Sequence, residues 1–187
     1  MHWKVGVIMR LRKLIPMTAK LQLYKSAILP HITYCHIVWN FCKVSDRKKL
    51  ERIQEKALKA VYNTNNLTYN ELLCRAKLPT LYNRRLQDIA VLMYKVKNNL
   101  SPPHITELFR RKEQRYELRN ADFELPRFKS VRYGKHSLRY FGPYLWSKLE
   151  MEDREYTNLK SFISNIRKKD LESILEGGCR NCGQCSN

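Results

Sequence analysis

The sequence predicts a mainly α protein: a helical bundle over residues 1–109, a charged linker over 110–122, a small α+β unit over 123–176 and a cysteine-containing flexible tail over 177–187. Three observations carry this. Apolar residues recur every three or four positions through most of the first 109 residues, the period of helices with one buried face. RRKEQRYELRNAD (110–122) is densely charged and lacks that period, which suits a linker. Beyond it, PRFKSVRYGKHSLRYFGPYLW mixes aromatics with lysine and arginine around Gly134 and Gly142, a pattern that suits short strands and turns. At 187 residues and 43% apolar content, the chain is long enough for one core and a second, smaller unit.

Each element follows from local signals. Lys4 to Ile15 reads as a short basic helix stopped by Pro16, whose ring cannot continue a helix interior. Thr18 caps a second helix that carries Leu21, Tyr24 and Ile28 on one face and ends at Pro30. His31 to about Cys42 lacks a polar face, which predicts a buried segment. Ser45 or Asp46 caps the clearest helix, with Leu50, Ile53, Ala57 and Ala60 or Val61 on one face and Arg47, Lys48, Arg52, Lys56 and Lys59 on the others. Asn63 to Asn66 is a polar turn, and Thr68 caps a short helix through Cys74. Thr80 to Lys97 places Leu86, Ile89, Met93 and Val96 inward and Arg84, Arg85, Lys95 and Lys97 outward, ending at Asn98, Asn99, Pro102 and Pro103. Within 123–176, LEMEDREY reads as a solvated acidic loop. Asn158 then caps a final helix with Leu159, Phe162, Ile163 and Ile166 on its apolar face.

Composition narrows the partners. Lysine plus arginine number 36 against 17 aspartate plus glutamate, an excess of 19 positive charges. Such a surface attracts polyanions and favours phosphate contacts that weaken as salt rises. A merely basic protein of ribosomal type has the same balance. No window approaches the roughly 18 to 20 uninterrupted apolar residues of a membrane span, and the amino end does not read as a signal peptide. The expectation is a nuclear or cytoplasmic protein with no membrane partner and no small-molecule substrate. Six cysteines in such a setting point to reduced thiols or a metal site before disulfides. Cys35, Cys42 and Cys74 lie among apolar residues and read as small core side chains.

Three groups are candidate sites. Arg127, Lys129, Arg132, Lys135 and Arg139 are spaced to meet phosphates, while Phe128, Tyr133, Tyr140 and Phe141 offer stacking faces for unpaired bases. Alternatively, half of these aromatics form the core of the second unit. His31 and Cys35, at i and i+4 with His36 beside them, either share a face as zinc ligands can or pack in a core. Cys179, Cys182 and Cys185 follow C-x2-C-x2-C, three of the four ligands zinc needs, and form either a zinc site completed elsewhere or a reduced flexible tail. Zinc is thus a candidate and not a required cofactor.

Several stretches together resemble the carboxy-terminal region of reverse transcriptases from non-LTR (LINE-type) retrotransposons of the jockey kind. LPHITYCHIVWNFCKVSDRKKLERIQEKALKAVY (29–62) is similar to the region just after their catalytic core. The blocks at 69–109, YELRN (116–120), RYGKHSLRYFGPYLWSKL (132–149) and SFISNIRKKDL (161–171) resemble successive blocks downstream. VGVIMRLRKLIPMTAKLQLYKSAILPH is similar to the segment joining palm and thumb, so the resemblance covers about residues 4 to 176. It implies a thumb-like helical bundle whose basic helices, through Arg52, Lys56, Arg84 and Arg85, line a groove for RNA or an RNA–DNA template–primer. It also implies that the parent activity is RNA-directed DNA polymerisation, with magnesium held by aspartates upstream of Met1. Relatives carry a C-x2-C-x4-H-x4-C knuckle near the end, from which this tail departs because no histidine follows Cys185.

The chain has no Asp-Asp pair of the kind that holds two magnesium ions in such polymerases. It also lacks GxSxG, HExxH and GxxxxGK[ST] motifs, and the apurinic-type endonuclease of such elements. The expectation is therefore a fragment without catalytic residues. The alternative is a decayed or domesticated helical module that docks protein and has no nucleic-acid activity.

Overall fold

The computed structural model describes residues 2–11, 13–111 and 122–176. The chain divides into two compact units, Met1–Leu81 and Tyr82–Asn187. The described residues are helical with no strand, as the mainly α expectation has it. No helix among them is long and apolar enough to cross a membrane.

The first unit contains α1 (His2–Leu11), α2 (Met17–Leu23), a π turn (Tyr24–Ile28), α3 (Leu29–Thr33), a short 3-10 turn (Val38–Phe41), α4 (Val44–Tyr62) and α5 (Tyr69–Ala76). α4 is its axis, with α1, α2 and α5 packed on it. Ala57, Ala60 and Val61 are buried and Leu50 and Ile53 half-buried, the face that the spacing predicts. Leu58 and Gln54 are buried as well, because a helix covered from several directions hides more than one stripe. Val5, Ile8, Tyr24, Ile28, Ile32, Leu72 and Leu73 complete the core. One polar thread crosses it: Gln54 donates to the Tyr24 hydroxyl (2.9 Å) and accepts from the Tyr69 hydroxyl (2.5 Å). Burial pushes the Tyr24 phenol up to about 12, although the Gln54 bond opposes this.

Helix ends in this unit are closed locally. Thr68 and Glu71 form a reciprocal capping box at the start of α5. Asn63 and Lys77 end α4 and α5 in the left-handed conformation, each at φ 52°.

Three expectations are corrected here. Pro30 does not end a helix but sits in the first turn of α3. The π turn makes this possible, since the Leu29 amide reaches back five residues to Tyr24 O and moves the carbonyl with which a proline ring would collide. His31 to Cys42 is not one buried helix: α3 stops at Thr33, Cys35 turns left-handed at φ 51°, and Tyr34 and Val38 are each 75% exposed. Cys35 and Cys74 are exposed and Cys42 only partly covered, so none is a fully buried core side chain. Cys35 leaves the helix before its side chain can reach the core.

The second unit holds α6 (Leu81–Lys97), α7 (Pro103–Thr106), a π turn (Val131–Lys135), α8 (Leu138–Lys148), α9 (Met151–Arg154), α10 (Leu159–Ile166) and α11 (Leu171–Glu176). Leu86, Ile89, Met93 and Val96 of α6 are buried, as are Leu145, Trp146, Phe162, Ile166 and Leu171. Tyr94 stacks on Phe162 at 4.4 Å between ring centres. Gly142 is required by close packing, since a Cβ there would stand 2.7 Å from Met93 Sδ.

Polar side chains of α6 hook the later segments of this unit by their main chain. Asn83 donates to Lys169 O (3.3 Å) and accepts from the Leu171 amide (3.0 Å), Gln87 donates to Lys169 O (3.0 Å), and the Tyr94 hydroxyl donates to Tyr156 O (2.8 Å). Lys97, expected outward, is half-buried over the Trp146 ring and donates to Asp122 (3.1 Å), which also accepts from Trp146 Nε1 (2.7 Å).

The expected α+β character of 123–176 is also corrected: its described residues contain helices and no strand. The sole β pairing among the described residues is an isolated antiparallel bridge between Arg111 and Phe123. Gly134 and Gly142 suggest strand breaks, yet Leu138, Phe141, Gly142, Leu145, Trp146 and Leu149 recur at helical spacing, and that period prevails. α8 accommodates Pro143 within its length. Nor is LEMEDREY a wholly solvated loop, because Asp153 is 2% exposed and binds Lys169 (2.7 Å) and Asn165 (2.6 Å). The cation is drawn in because a buried carboxylate needs partners. Asn158 caps α10 through Lys160 N, as predicted. The interior of the expected linker, 112–121, and the tail 177–187 lie outside the described residues.

Candidate nucleic-acid interface

A cleft of about 690 Å3 opens in the second unit, where the chain entering and leaving the Arg111–Phe123 bridge meets the π turn and the start of α8. Its apolar lining includes Leu108 and Phe109. Four cations, Arg110, Arg127, Lys129 and Arg139, line it against one carboxylate, Glu124. Among the described residues none of these four forms an ion pair, and all are exposed. Unpaired cations around one concavity make a positive field that a phosphate can enter with little competition from the protein's own carboxylates.

The wall of the cleft is built by backbone constraints. The Glu124 amide donates to Arg110 O at 2.9 Å, which brings those two side chains to one rim. Ser130 O accepts from the Gly134 and Lys135 amides (3.0 and 3.3 Å), closing the π turn, and the Ser137 hydroxyl donates to Gly134 O (2.6 Å). Gly134 is needed there because a Cβ would fall 2.4 Å from Phe128 Cβ, a stem atom that cannot swing away. Phe128 therefore seats on the turn. Tyr140 meets it edge to face, with ring centres 5.0 Å apart and planes at 83°. Tyr140 in turn stacks on Tyr144 at 6.2 Å. Phe128 stays 41% exposed, so its ring is held in place but not covered.

The structure brings Arg127, Lys129, Arg139 and Tyr140 of the basic aromatic block to this cleft, together with Phe128. Lys135 is half-buried and not among its lining residues. Only the backbone of Arg132 and Tyr133 is described, in the π turn, and their side chains lie outside the described residues. Of the aromatics in this block, Trp146 is buried in the core, whereas Phe128 and Tyr140 line the cleft. Arg110 and Glu124 line it too, and no local pattern marks them, because the bridge that places them joins residues across the linker.

The helix arginines and lysines fall differently. Arg52 and Lys56 are exposed on α4 in the first unit. Arg84 lies near Asp88 (3.8 Å), and burial, with Arg167 close by, lowers its guanidinium from the ordinary range against the pull of Asp88. Arg85, expected outward, is 1% exposed with its guanidinium 5.5 Å above the Tyr82 ring centre. It is therefore not placed to meet phosphate as the chain stands.

No group of three or more potential metal-ligating side chains lies together among the described residues. The i, i+4 arrangement of His31 and Cys35 does not form, since the helix ends between them. His31 bonds Lys4 instead, and His36 is buried beside the Trp39 ring. Cys179, Cys182 and Cys185 lie outside the described residues. Comparison with family models, with curated proteins and with solved structures finds no match for this chain.

Proposed function

We propose that this chain is the thumb and downstream region of a LINE-type reverse transcriptase and that it holds RNA or an RNA–DNA template–primer without polymerase chemistry of its own. The observation that carries the reading is the cleft ringed by Arg110, Arg127, Lys129 and Arg139 with Phe128 and Tyr140 in its wall. Cations for phosphate beside aromatic faces for bases are the combination that nucleic-acid clamps use. The ordered sequence blocks and the excess of 19 positive charges support it. Arg52 and Lys56 are exposed on α4 of the first unit and are further cations open to phosphate. On this reading the protein acts in the nucleus or cytoplasm, needs no small-molecule substrate and uses magnesium only as part of an intact polymerase. Zinc, if bound, engages Cys179, Cys182 and Cys185, and a chelator then changes the mobility of the purified chain.

The test is binding to a labelled RNA hairpin and an RNA–DNA hybrid across a salt series. Phosphate contacts predict that log affinity falls linearly with log salt, and Arg127→Glu with Arg139→Glu should flatten that slope by about 2. No binding of either ligand at low salt refutes the proposal.

One observation favours a second reading, a decayed or domesticated module that docks protein. Trp3, Leu14, Tyr34 and Val38 of the first unit are 74 to 77% exposed, an apolar display that a nucleic-acid clamp does not need. A salt-insensitive partner that Trp3→Ser and Tyr34→Ser release would favour it.

A further inference from the structure

We infer that the cleft takes one unpaired nucleotide at a time, its base against the Phe128 ring and its flanking phosphates against Arg127, Lys129 and Arg139, while duplex is held only at the rim. The inference rests on the nucleic-acid reading above and names the ligand class of that site.

Size comes first. A volume of about 690 Å3 lies within the roughly 300–1,000 Å3 of pockets that enclose a small molecule. A nucleotide fits such a space. A double helix, whose major groove alone is about 12 Å wide, does not enter it.

The second argument is the state of the Phe128 ring. An apolar ring left 41% exposed is usually free to turn, but this one is fixed from two sides. Its stem sits where Gly134 has no Cβ, and its edge-to-face partner Tyr140 sets its plane. A rigid, exposed aromatic surface in a concavity is preorganised for stacking, since little conformational freedom remains to be lost on binding. Within a duplex the faces of each base are covered by stacking on the neighbouring pairs, so an unstacked base of a single strand is what can use such a surface.

The third argument is charge. Arg127 and Lys129 flank Phe128 in sequence and Arg139 precedes Tyr140, so each aromatic carries a cation beside it in the cleft lining. That alternation matches a strand whose phosphates alternate with bases. A flat basic face would serve a duplex equally well and would need no ring.

The experiment uses the full chain and three probes: a single-stranded RNA of about ten nucleotides, inside the usual site-size range, the same strand with one internal abasic position, and its duplex. A 2-aminopurine in the single strand reports stacking. The inference expects quenching of that fluorophore in the complex. It also expects Phe128→Leu to weaken single-strand binding roughly 5- to 140-fold, the weight of one stacked base, while duplex binding stays within twofold. Walking the abasic position along the strand should weaken binding comparably at one register, which tests the idea without altering the protein. Equal binding of strand and duplex, no quenching and a neutral Phe128→Leu would overturn the inference and leave the nucleic-acid reading standing. Loss of all binding to wild-type protein at low salt would overturn both.

Discussion

The two units are built from helices of similar length, yet they hold those helices by different means. In the first, apolar side chains of α1, α4 and α5 interdigitate, and a polar thread through the core, Tyr24–Gln54–Tyr69, joins side chain to side chain. Helix ends are satisfied by neighbours within five residues, as at Thr68, Asn63 and Lys77. In the second, α6 uses Asn83, Gln87 and Tyr94 to bind main-chain groups 62 to 88 residues away. Arg111 does the same in reverse, donating to Val96 O and Lys97 O and so capping the end of α6 (2.9 Å each). The difference teaches that a short helix such as α11, which buries only Leu171 and Leu175, is positioned also by a side chain that reaches its backbone, Asn83 at the Leu171 amide.

This contrast can be broken in order of effect. The largest loss should follow Trp146→Ala. It empties a fully buried site and removes the indole donor to Asp122, so a destabilisation of about 3–5 kcal/mol is expected. Hydrogen exchange should then rise first in α6, α8 and α10. Rapid exchange confined to α4 would show that the core has been misassigned.

Next come Asn83 and Gln54, two of the buried amides. Asn83→Ala leaves the buried Leu171 amide without its acceptor, at a cost of about 1–3 kcal/mol. Gln54→Leu should cost a similar amount, about 1–3 kcal/mol, because it leaves the fully buried Tyr24 hydroxyl without its donor, while the half-buried Tyr69 hydroxyl can turn to water. Denaturant melts of the two variants read both costs directly. A cost near zero for either variant would show that its hydrogen bond does not hold the unit together.

Lys77→Gly should be mildly stabilising, by up to about 1 kcal/mol, because a residue with a Cβ is strained at φ 52° and glycine is not. Thermal melts would check it, and destabilisation would mean that the lysine stem packs in a way that outweighs the strain.

The smallest effect is acid fraying. Hydrogen bonds from the Thr68 backbone, then its side chain, hold the Glu71 carboxyl below its ordinary 4.5, and the Lys169 ammonium does the same for Glu150. A folded pKa below the unfolded one gives stability that is present above pH 4.5 and lost as pH falls through the folded value. Amide shifts at the start of α5 and around Glu150 should therefore move together in acid. Movement at one site alone would show that only that unit depends on its carboxylate.

How much of this was legible depended on how local the cause was. α4, α6 and α10 are readable because their apolar faces repeat at helical spacing, and Thr68, Asn158 and the Asn98–Asn99 stop are readable because capping uses residues next to the helix end. Thr18, by contrast, lies inside α2, whose preceding residue is Pro16 with no side-chain cap. Cys35, Cys42 and Cys74 and the His31–Cys42 segment were misread because apolar composition without a period says nothing of where the chain turns. In the cleft, Arg127, Lys129, Arg139 and Tyr140 stand out by residue type alone, while Arg110 and Glu124 do not.

By itself, then, the sequence determined the helical class, the long helices with their buried faces, the strong positive charge and the cationic and aromatic residues from Arg127 to Tyr140. Those are properties of composition and of contacts within a few residues. Only the tertiary structure decided that Arg85 is buried while Arg127 is open, and that Gly134 makes room for Phe128 at the wall of a cleft. Each of those outcomes is set by a neighbour distant in sequence or by the shape of the space left for a side chain, and neither is written in the spacing of residues along the chain.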